Sequence, residues 1–332
     1  MRLIQIKRGD VRRVALVEEP HLRLLDDCRS IYDLAHTALA AGTKLTDAAH
    51  ERSTRDTLEY DPVYGGHSDW RILPPIDHPE EPARCLISGT GLTHLGSARE
   101  RQSMHASSEE ELTDSIKMFR WGVEGGRPAP GRIGTPPEWF YKGTGTTLRA
   151  HGEPLDVPPY AEDGGEEAEI AGIYLISPDG QPLRLGMSAG NEFSDHLFEK
   201  KNYLNLAGSK LRTCALGPEL VIDPAFESIP GEVALKRAGQ VLWEKTILTG
   251  EAEMCHSLRN IEHHHFKYED HRRAGDVHVH YLGADRLSFG DGVRLAAGDV
   301  MQVAFKGFGR PLSNPIRVAR SGADLITVSS LG

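Results

Sequence analysis

The sequence predicts a mixed α+β protein that is rich in β-strands and divided into two domains. Short apolar or alternating runs, separated by Gly, Pro and Asp, continue from Trp139 almost to the end of the 332-residue chain. The N-terminal region combines short strands with one amphipathic helix, and residues 60–83 are rich in Pro, Gly and Asp. We therefore expect a small N-terminal α/β domain at residues 1–78 and a large β-domain at residues 79–332.

The N-terminal domain is predicted from two kinds of apolar spacing. Alternation of polar and apolar residues predicts strands at 3–7 and 12–17, with a weaker strand at 22–25. The spacing then becomes helical over Ile31–Ala41, with Ser30 as an N-cap and Gly42 as a stop signal. Residues 60–83 are expected to be irregular and to link the two domains.

A segment at about residues 92–137 is predicted to be a lid. Within it, residues 105–120 contain Ser-Ser-Glu-Glu-Glu before an apolar-periodic run, which indicates an N-capped helix. The surrounding Gly and Pro residues favour a mobile flap over a core element. After the lid, the predicted strands of the β-domain lie at residues 140–142, 167–177, 220–222, 241–248, 277–282 and 299–305.

Composition excludes several classes of function. The formal net charge of −10 disfavours nucleic acid as a partner, because phosphate binding requires clustered Lys and Arg. Apolar runs are too short to span a membrane, and the N-terminus does not resemble a signal peptide, so we expect no membrane partner and a cytoplasmic location. The four cysteines are scattered, which indicates reduced, partly buried thiols.

The candidate chemistry begins at an E-x-E pair in a predicted strand. Side chains at i and i+2 of a strand face the same way, so Glu167 and Glu169 present two carboxylates side by side. Two such carboxylates repel each other unless a cation lies between them, and a hard divalent cation is the natural candidate. Taken alone, an E-x-E pair is common on solvated strands.

The next segments of the chain make this pair informative. The first is Asn191-Glu192-Phe193-Ser194, and the second is a Tyr-Leu-x-Leu-Ala-x-x-Lys run at residues 203–210 that ends on Lys210. The third is a Cys-x-x-Gly-Pro turn at residues 214–218. This order of segments resembles the fumarylacetoacetate hydrolase superfamily over roughly residues 84–310, and most strongly over 165–218. The resemblance implies a fumarylacetoacetate hydrolase-like catalytic β-domain at residues 79–332.

The resemblance also implies a metal site and two site lysines. The metal ligands would be Glu167, Glu169 and Glu192, although the third is usually Asp in the superfamily; Asp195 is the alternative. Three carboxylates suit Mg²⁺, with Mn²⁺ as the second possibility. Lys210 and Lys142 match the superfamily's site lysines, which would stabilise developing negative charge or act as a base.

The lid portion of the resemblance is incomplete. Hydrolytic members carry H-x-x-E there, and His94 falls at the position of the histidine, where it is expected to be catalytic. Its i+3 position is Ser97 instead of Glu, and Glu100 lies too far along to be a clear substitute. The superfamily's T-G-T-P segment is also replaced, at residues 281–285. Substrate contacts are expected from Thr144, Tyr203 and Gly283.

These features favour one reaction over two alternatives. A carboxylate-held Mg²⁺ can chelate a small anionic 2-keto acid and acidify its C3 protons. The missing Glu after His94, together with the run ending on Lys210, resembles the dehydratases that convert 2-keto-3-deoxypentonates to 2-oxoglutarate semialdehyde. We therefore expect a lyase of pentose sugar-acid catabolism. The alternatives are a hydrolase that releases pyruvate from 2,4-diketo acids and an inactive sugar-acid-binding protein.

Two further expectations concern assembly and a histidine run. Superfamily members are commonly dimers, so the resemblance implies a homodimer. The three consecutive histidines at residues 263–265 cannot all face one ion in regular structure, because successive side chains point in different directions. We therefore expect no metal site there.

Overall fold

The computed structural model describes residues 1–105, 113–319, 322 and 324–332. The N-terminal part of the chain forms β1 (Arg2–Arg8), β2 (Val11–Glu18), β3 (His21–Leu25), β4 (Ser53–Glu59), β5 (Arg71–Ile72) and β6 (Cys85–Gly89), and helices α1 (Ile31–Ala41), α2 (Leu45–Glu51), α3 (Tyr60–Tyr64), α4 (Leu95–His105) and α5 (Asp114–Gly125). The middle part forms β7 (Phe140–Thr144), β8 (Leu148–Arg149), β9 (Leu155–Val157), β10 (Ala168–Ile176), β11 (Pro182–Asn191), β12 (Cys214–Leu216) and β13 (Leu220–Val221), and helices α6 (His196–Lys201) and α7 (Leu206–Lys210). The remainder forms β14 (Ile229–Arg237), β15 (Gln240–Thr249), β16 (Val277–Tyr281), β17 (Val300–Phe305) and β18 (Leu312–Val318), and helix α8 (Leu258–Phe266).

The predicted elements of the N-terminal region are confirmed, with one correction. Helix α1 has the expected caps: the Ser30 side chain accepts a hydrogen bond from the Asp33 N–H at 3.0 Å, and Gly42 adopts the left-handed conformation at φ 65°. Residues 60–83 are not wholly irregular, because they contain α3 and β5. The correction has a tertiary cause, since β5 forms only by pairing with β1.

Two sheets organise the described residues. The larger has 13 strands and runs β4-β3-β2-β1-β13-β11-β10-β16-β6-β7, with the short strands β5, β8 and β12 paired beside this path. The smaller has the order β15-β14-β17-β18-β9. Strand β1 pairs with β13, so the N-terminal strands continue the sheet of the large domain. The domain division at residue 78 stays a prediction.

The lid prediction is only partly described. Helices α4 and α5 lie within residues 92–137, and α5 begins after Thr113. The predicted Ser-Ser-Glu-Glu-Glu cap falls at residues 107–111, outside the described residues. Among the described residues, no helix has the length and apolar character needed to cross a bilayer. The mobility of the lid, the homodimer and the cytoplasmic location stay predictions.

The three consecutive histidines of α8 face different surroundings, because successive side chains of a helix point in different directions. His263 is exposed, whereas His264 and His265 are buried and face different neighbours. The His264 Nε2 atom lies 3.0 Å from the carbonyl oxygen of Gly134, and the His265 Nε2 atom lies 3.0 Å from Nδ1 of His278. The three side chains therefore do not converge on one point.

Buried histidines connect α8 to the larger sheet. His278 and His280 lie two residues apart on β16. The two ring nitrogens of His280 lie 2.8 Å from Ser88 Oγ and 2.7 Å from Thr90 Oγ1. Burial lowers the pKa of both His278 and His280 to about 3. Both imidazoles are therefore neutral in the folded chain at neutral pH.

The folded chain is expected to lose stability as the pH falls below about 6.5. An unfolded histidine gains a proton near pH 6.5 while these two buried rings do not, so acid favours the unfolded state. Each ring should cost about 1.4 kcal/mol between pH 7.5 and pH 5.5. Urea unfolding of the metal-free protein at both pH values measures this change.

A substitution of His280 tests whether its buried ring causes part of this loss of stability. His280→Gln should reduce the pH-dependent change in unfolding free energy by about 1.4 kcal/mol. The exposed His50 is the matched control, and His50→Gln should leave that change as it is in the wild-type protein. An unchanged slope in His280→Gln would contradict the prediction.

Candidate metal centre

The candidate site is built on the hairpin of β10 and β11. The two strands pair antiparallel, with Glu169 opposite Gly190 and Ala168 opposite Asn191. The pairing continues one residue further, where the Glu192 N–H donates to the carbonyl oxygen of Glu167 at 2.9 Å. This register places Glu192 directly across from Glu167 at the open end of the hairpin.

Three carboxylates converge at this end, as the resemblance implied. Glu167, Glu169 and Glu192 are buried, and each offers an oxygen that lies within 4.8 Å of the corresponding oxygens of the other two. Asp195, the alternative ligand, is used elsewhere: it caps α6 by accepting from Phe198 N–H at 2.9 Å and pairs with Arg212 at 3.0 Å. The third acidic residue of the cluster is therefore Glu192.

Two buried lysines neutralise part of the charge. Lys210, at the end of α7, donates to Glu167 Oε1 at 2.5 Å and also contacts Glu192 Oε2. Lys142, from β7, contacts Glu192 Oε1 and donates to the carbonyl oxygen of Phe193 at 2.8 Å. Both side chains are almost completely buried, and the Lys210 ammonium also lies 4.7 Å from the centre of the Phe140 ring.

The carboxylates differ in protonation because their neighbours differ. Burial raises the pKa of Glu169 well above its usual range, and the charges of Glu192 and Glu167 raise it further. Burial also opposes ionisation of Glu167, but Lys210 and His196 outweigh it and hold its pKa well below the usual range. Burial and the charge of Glu167 raise the pKa of Glu192, against the opposing effect of the two lysines.

A backbone amide orients the carboxylate of Glu169. The N–H of Gly283 donates to Glu169 Oε2 at 2.7 Å. Gly283 adopts a φ of +98°, and a Cβ atom there would clash with Thr93 Oγ1, so another residue would not fit without local movement. The expected role of Gly283 in substrate binding stays a prediction, while its observed contact is with Glu169.

The residues fit a hard divalent cation. Carboxylate oxygens are the ligands that Mg²⁺ and Mn²⁺ prefer, and the raised pKa of Glu169 reflects mutual repulsion that a cation would relieve. Glu167, Glu169 and Glu192 would hold the ion. Among the described residues, these three glutamates are the only group of three or more candidate metal ligands.

A small cavity next to the carboxylates contains residues that the sequence analysis did not single out. It has a volume of about 10 Å³, enough for one water molecule. Its wall is formed by Gly91, Leu92, Ser97, Glu167, Glu169, His196, Glu199, Ala284 and Leu287. His196 Nε2 lies 3.1 Å from Glu167 Oε1, and this hydrogen bond raises the pKa of His196 despite its burial.

His94 lies in the segment predicted to be a lid, and its ring contacts two threonines. Its Nδ1 atom lies 2.8 Å from Thr93 Oγ1, and its Nε2 atom lies 3.0 Å from Thr249 Oγ1. Burial lowers its pKa to about 4, so the ring is neutral at neutral pH. Ser97, one helical turn later, does line the cavity. A catalytic role for His94 stays a prediction that these contacts do not favour.

Of the two other residues predicted to contact the substrate, Tyr203 is connected to the cavity wall and Thr144 is not. Thr144 is at the far end of β7, opposite Leu86, and its hydroxyl lies 3.0 Å from Thr146 Oγ1. Tyr203 is half-buried, and its hydroxyl donates to Glu138, a buried carboxylate that closely approaches Gly91. The structure therefore connects Tyr203 to the cavity wall through Glu138, but places Thr144 outside the cluster.

The sequence has no match among family models or curated proteins, while solved structures share its fold. No protein-family model matches, and no curated protein matches either. A hexagonal crystal form of 2-keto-3-deoxyarabinonate dehydratase has a TM-score of 0.72 at 19% identity, covering 97% of this chain and 100% of that one. 2-Keto-3-deoxy-D-arabinonate dehydratase complexed with magnesium and 2,5-dioxopentanoate has a TM-score of 0.71 at 18% identity, with the same coverage.

A solved isomerase structure also shares the fold. 2-Hydroxyhepta-2,4-diene-1,7-dioate isomerase from Mycobacterium marinum has a TM-score of 0.60 at 16% identity, covering 97% of this chain and 100% of that one. The predicted strand-rich α+β architecture is confirmed, and so is the expected fumarylacetoacetate hydrolase-like fold. At these identities the likeness concerns the fold.

Proposed function

We propose that the chain is a Mg²⁺-dependent dehydratase of a 2-keto-3-deoxy sugar acid, which converts a 2-keto-3-deoxypentonate to 2,5-dioxopentanoate, also called 2-oxoglutarate semialdehyde. The observation that supports it most is the buried cluster of Glu167, Glu169 and Glu192 with Lys142 and Lys210. The similar fold of a dehydratase complexed with magnesium and 2,5-dioxopentanoate supports the choice of cation and product.

The charges of the cluster match one cation and one anionic substrate. Three carboxylates and two ammonium groups have a net charge of minus one when all are ionised. A divalent cation together with a substrate monoanion brings that charge to zero, which is the favourable state for a buried site. The cluster therefore suits a small 2-keto acid with a single carboxylate.

The lysines supply the proton and charge chemistry of the proposed reaction. When bound, the cation polarises a 2-oxo carboxylate and makes its C3 protons more acidic. The Lys210 ammonium lies against Glu167 and Glu192, where it can stabilise an oxygen that becomes negative. Burial lowers the pKa of Lys142, so its Nζ atom releases a proton more readily and is a candidate base at C3.

The reaction is tested with purified protein, Mg²⁺ and both 2-keto-3-deoxypentonate epimers. We expect 2,5-dioxopentanoate from one epimer, detected by NMR, and loss of product when EDTA removes the cation. In parallel, 2,4-diketo acids are assayed for pyruvate with lactate dehydrogenase. Pyruvate release without dehydration would favour the hydrolase, and calorimetric binding without turnover would favour the inactive binding protein.

A further inference from the structure

A groove apart from the candidate metal centre is lined by two basic residues that lie opposite each other in the sheet. Lys7 of β1 and Arg71 of β5 are partners in the antiparallel pairing, so their Cβ atoms lie about 5 Å apart on one face. Both residues are exposed, and both line a groove with a volume of about 700 Å³. Among the described residues, none lines both this groove and the cavity beside Glu167 and Glu169.

A third basic residue next to this pair has a carboxylate partner, whereas Lys7 and Arg71 do not. Arg12 of β2 lies opposite Lys7 on the other side of β1. Its guanidinium donates two hydrogen bonds to Asp77, at 2.8 Å and 2.7 Å. Within the described ranges, no carboxylate forms an ion pair with Lys7 or Arg71. Like charges directly opposite each other in a sheet repel, so an anion between these two side chains would stabilise the pairing of β5 with β1.

Another part of the groove wall is aromatic and is held in place by the start of β18. The rings of Tyr64 and His151 stack with their centres 4.2 Å apart and their planes at 26°. The Tyr64 hydroxyl donates to the carbonyl oxygen of Pro311 at 2.7 Å. The Ser313 N–H donates to His151 Nδ1 at 3.2 Å. Because backbone groups fix both rings, this wall is already ordered before a ligand binds.

Two acidic residues of the groove suit hydroxyl groups. Asp69 and Glu153 are exposed and line the groove, and Glu153 also accepts a hydrogen bond from the Ala150 N–H at 2.7 Å. A carboxylate accepts hydrogen bonds from hydroxyl groups but repels another anion. The lining also includes four glycines, whose lack of a side chain lets a ligand approach the backbone. A ligand with one acidic group and several hydroxyl groups therefore matches both kinds of charged residue.

We propose that this groove is a binding site for an organic anion in which a phosphate or carboxylate group is joined to a hydroxylated chain or sugar. The acidic group lies between Lys7 and Arg71, where the guanidinium supplies paired N–H donors and the ammonium supplies a point charge. The hydroxyl groups donate to Asp69 or Glu153. A volume of about 700 Å³ accommodates a compound as large as a nucleotide. The site does not depend on the proposed dehydration.

Binding is tested by calorimetry in phosphate-free buffer. The protein is first freed of metal and dialysed, so that no anion is held through a cation at the three glutamates. The probes are ADP, ribose 5-phosphate and gluconate, which distinguish a nucleotide, a sugar phosphate and a sugar acid. We expect at least one probe to bind as one molecule per chain, with an affinity that falls as NaCl is raised, because salt screens exposed charges. Uncharged ribose should not bind. Absence of binding by all three probes would overturn the proposal.

Variants assign the binding to the two basic residues. Lys7→Gln and Arg71→Gln should each weaken binding of that probe at least about 10-fold, because each removes one charge-assisted contact. Arg55→Gln is the matched control at an exposed arginine outside the groove, and it should change the affinity by less than about 2-fold. Unchanged binding in both groove variants would show that the site is wrong.

The stability of the same variants checks the repulsion from which the site is inferred. Since Lys7 and Arg71 repel each other, neither substitution should lower the urea midpoint of the ligand-free protein. A retained midpoint with weakened binding therefore separates loss of the site from misfolding. A lower midpoint in both variants would contradict the repulsion, and with it the proposal.

Discussion

Glu169→Gln is expected to weaken Mg²⁺ binding at least about 100-fold and to reduce the proposed dehydration by about 1,000-fold or more. The change removes one of three proposed ligand charges but keeps the size of the side chain. Calorimetric titration with MgCl₂ measures the affinity, and product formation measures the turnover. Exposed Glu232→Gln controls for the loss of one negative charge elsewhere.

The same variant has an opposite effect on stability, which separates ligand loss from misfolding. The pKa of Glu169 is raised in the folded, metal-free protein, so stability falls as the pH rises above the unfolded value near 4.3. Glutamine resembles the neutral acid and avoids this loss. Metal-free Glu169→Gln should therefore be more stable than wild type at pH 8 in urea unfolding. Unchanged Mg²⁺ affinity would show that the ligand assignment is wrong.

Lys210→Met is expected to destabilise the metal-free protein by about 3–5 kcal/mol, the usual cost of removing one partner of a buried ion pair. Lys210 lies between Glu167 and Glu192, so its loss leaves two buried carboxylates with less compensation. Urea unfolding at pH 7.5 measures the cost. Lys201→Met is the matched control, because Lys201 pairs with Glu162 at the surface and should contribute less than about 1 kcal/mol.

Mg²⁺ provides an internal check on this explanation. A bound cation replaces part of the missing positive charge, so saturating Mg²⁺ should raise the melting temperature of Lys210→Met more than that of the wild-type protein. The variant should also lose most of the proposed dehydration. A destabilisation of less than about 1 kcal/mol would show that Lys210 does not compensate the carboxylates as the contacts indicate.

Much of the fold and part of the site could be predicted from local patterns. Alternation and capping located β1, β2, β3 and α1, because these signals depend on residues close in sequence. Strand β5 was missed, because it exists only through its pairing with β1. Helix α3 was missed, because it lies in a stretch rich in Pro, Gly and Asp. The roles of His94 and Thr144 come from the resemblance and stay predictions, because a sequence pattern does not determine where a side chain points.

The candidate metal centre shows where the two kinds of information divide. The sequence by itself predicted that Glu167 and Glu169 face the same way, since side chains alternate along a strand, and the resemblance carried by the later segments pointed to Glu192 and Lys210. Only the tertiary structure decided which groups meet. The register of β10 and β11 places Glu192 across from Glu167, and α6 turns His196 and Glu199 towards the same cavity. These contacts depend on pairing and packing between segments that are distant in sequence, and local residue spacing does not encode them.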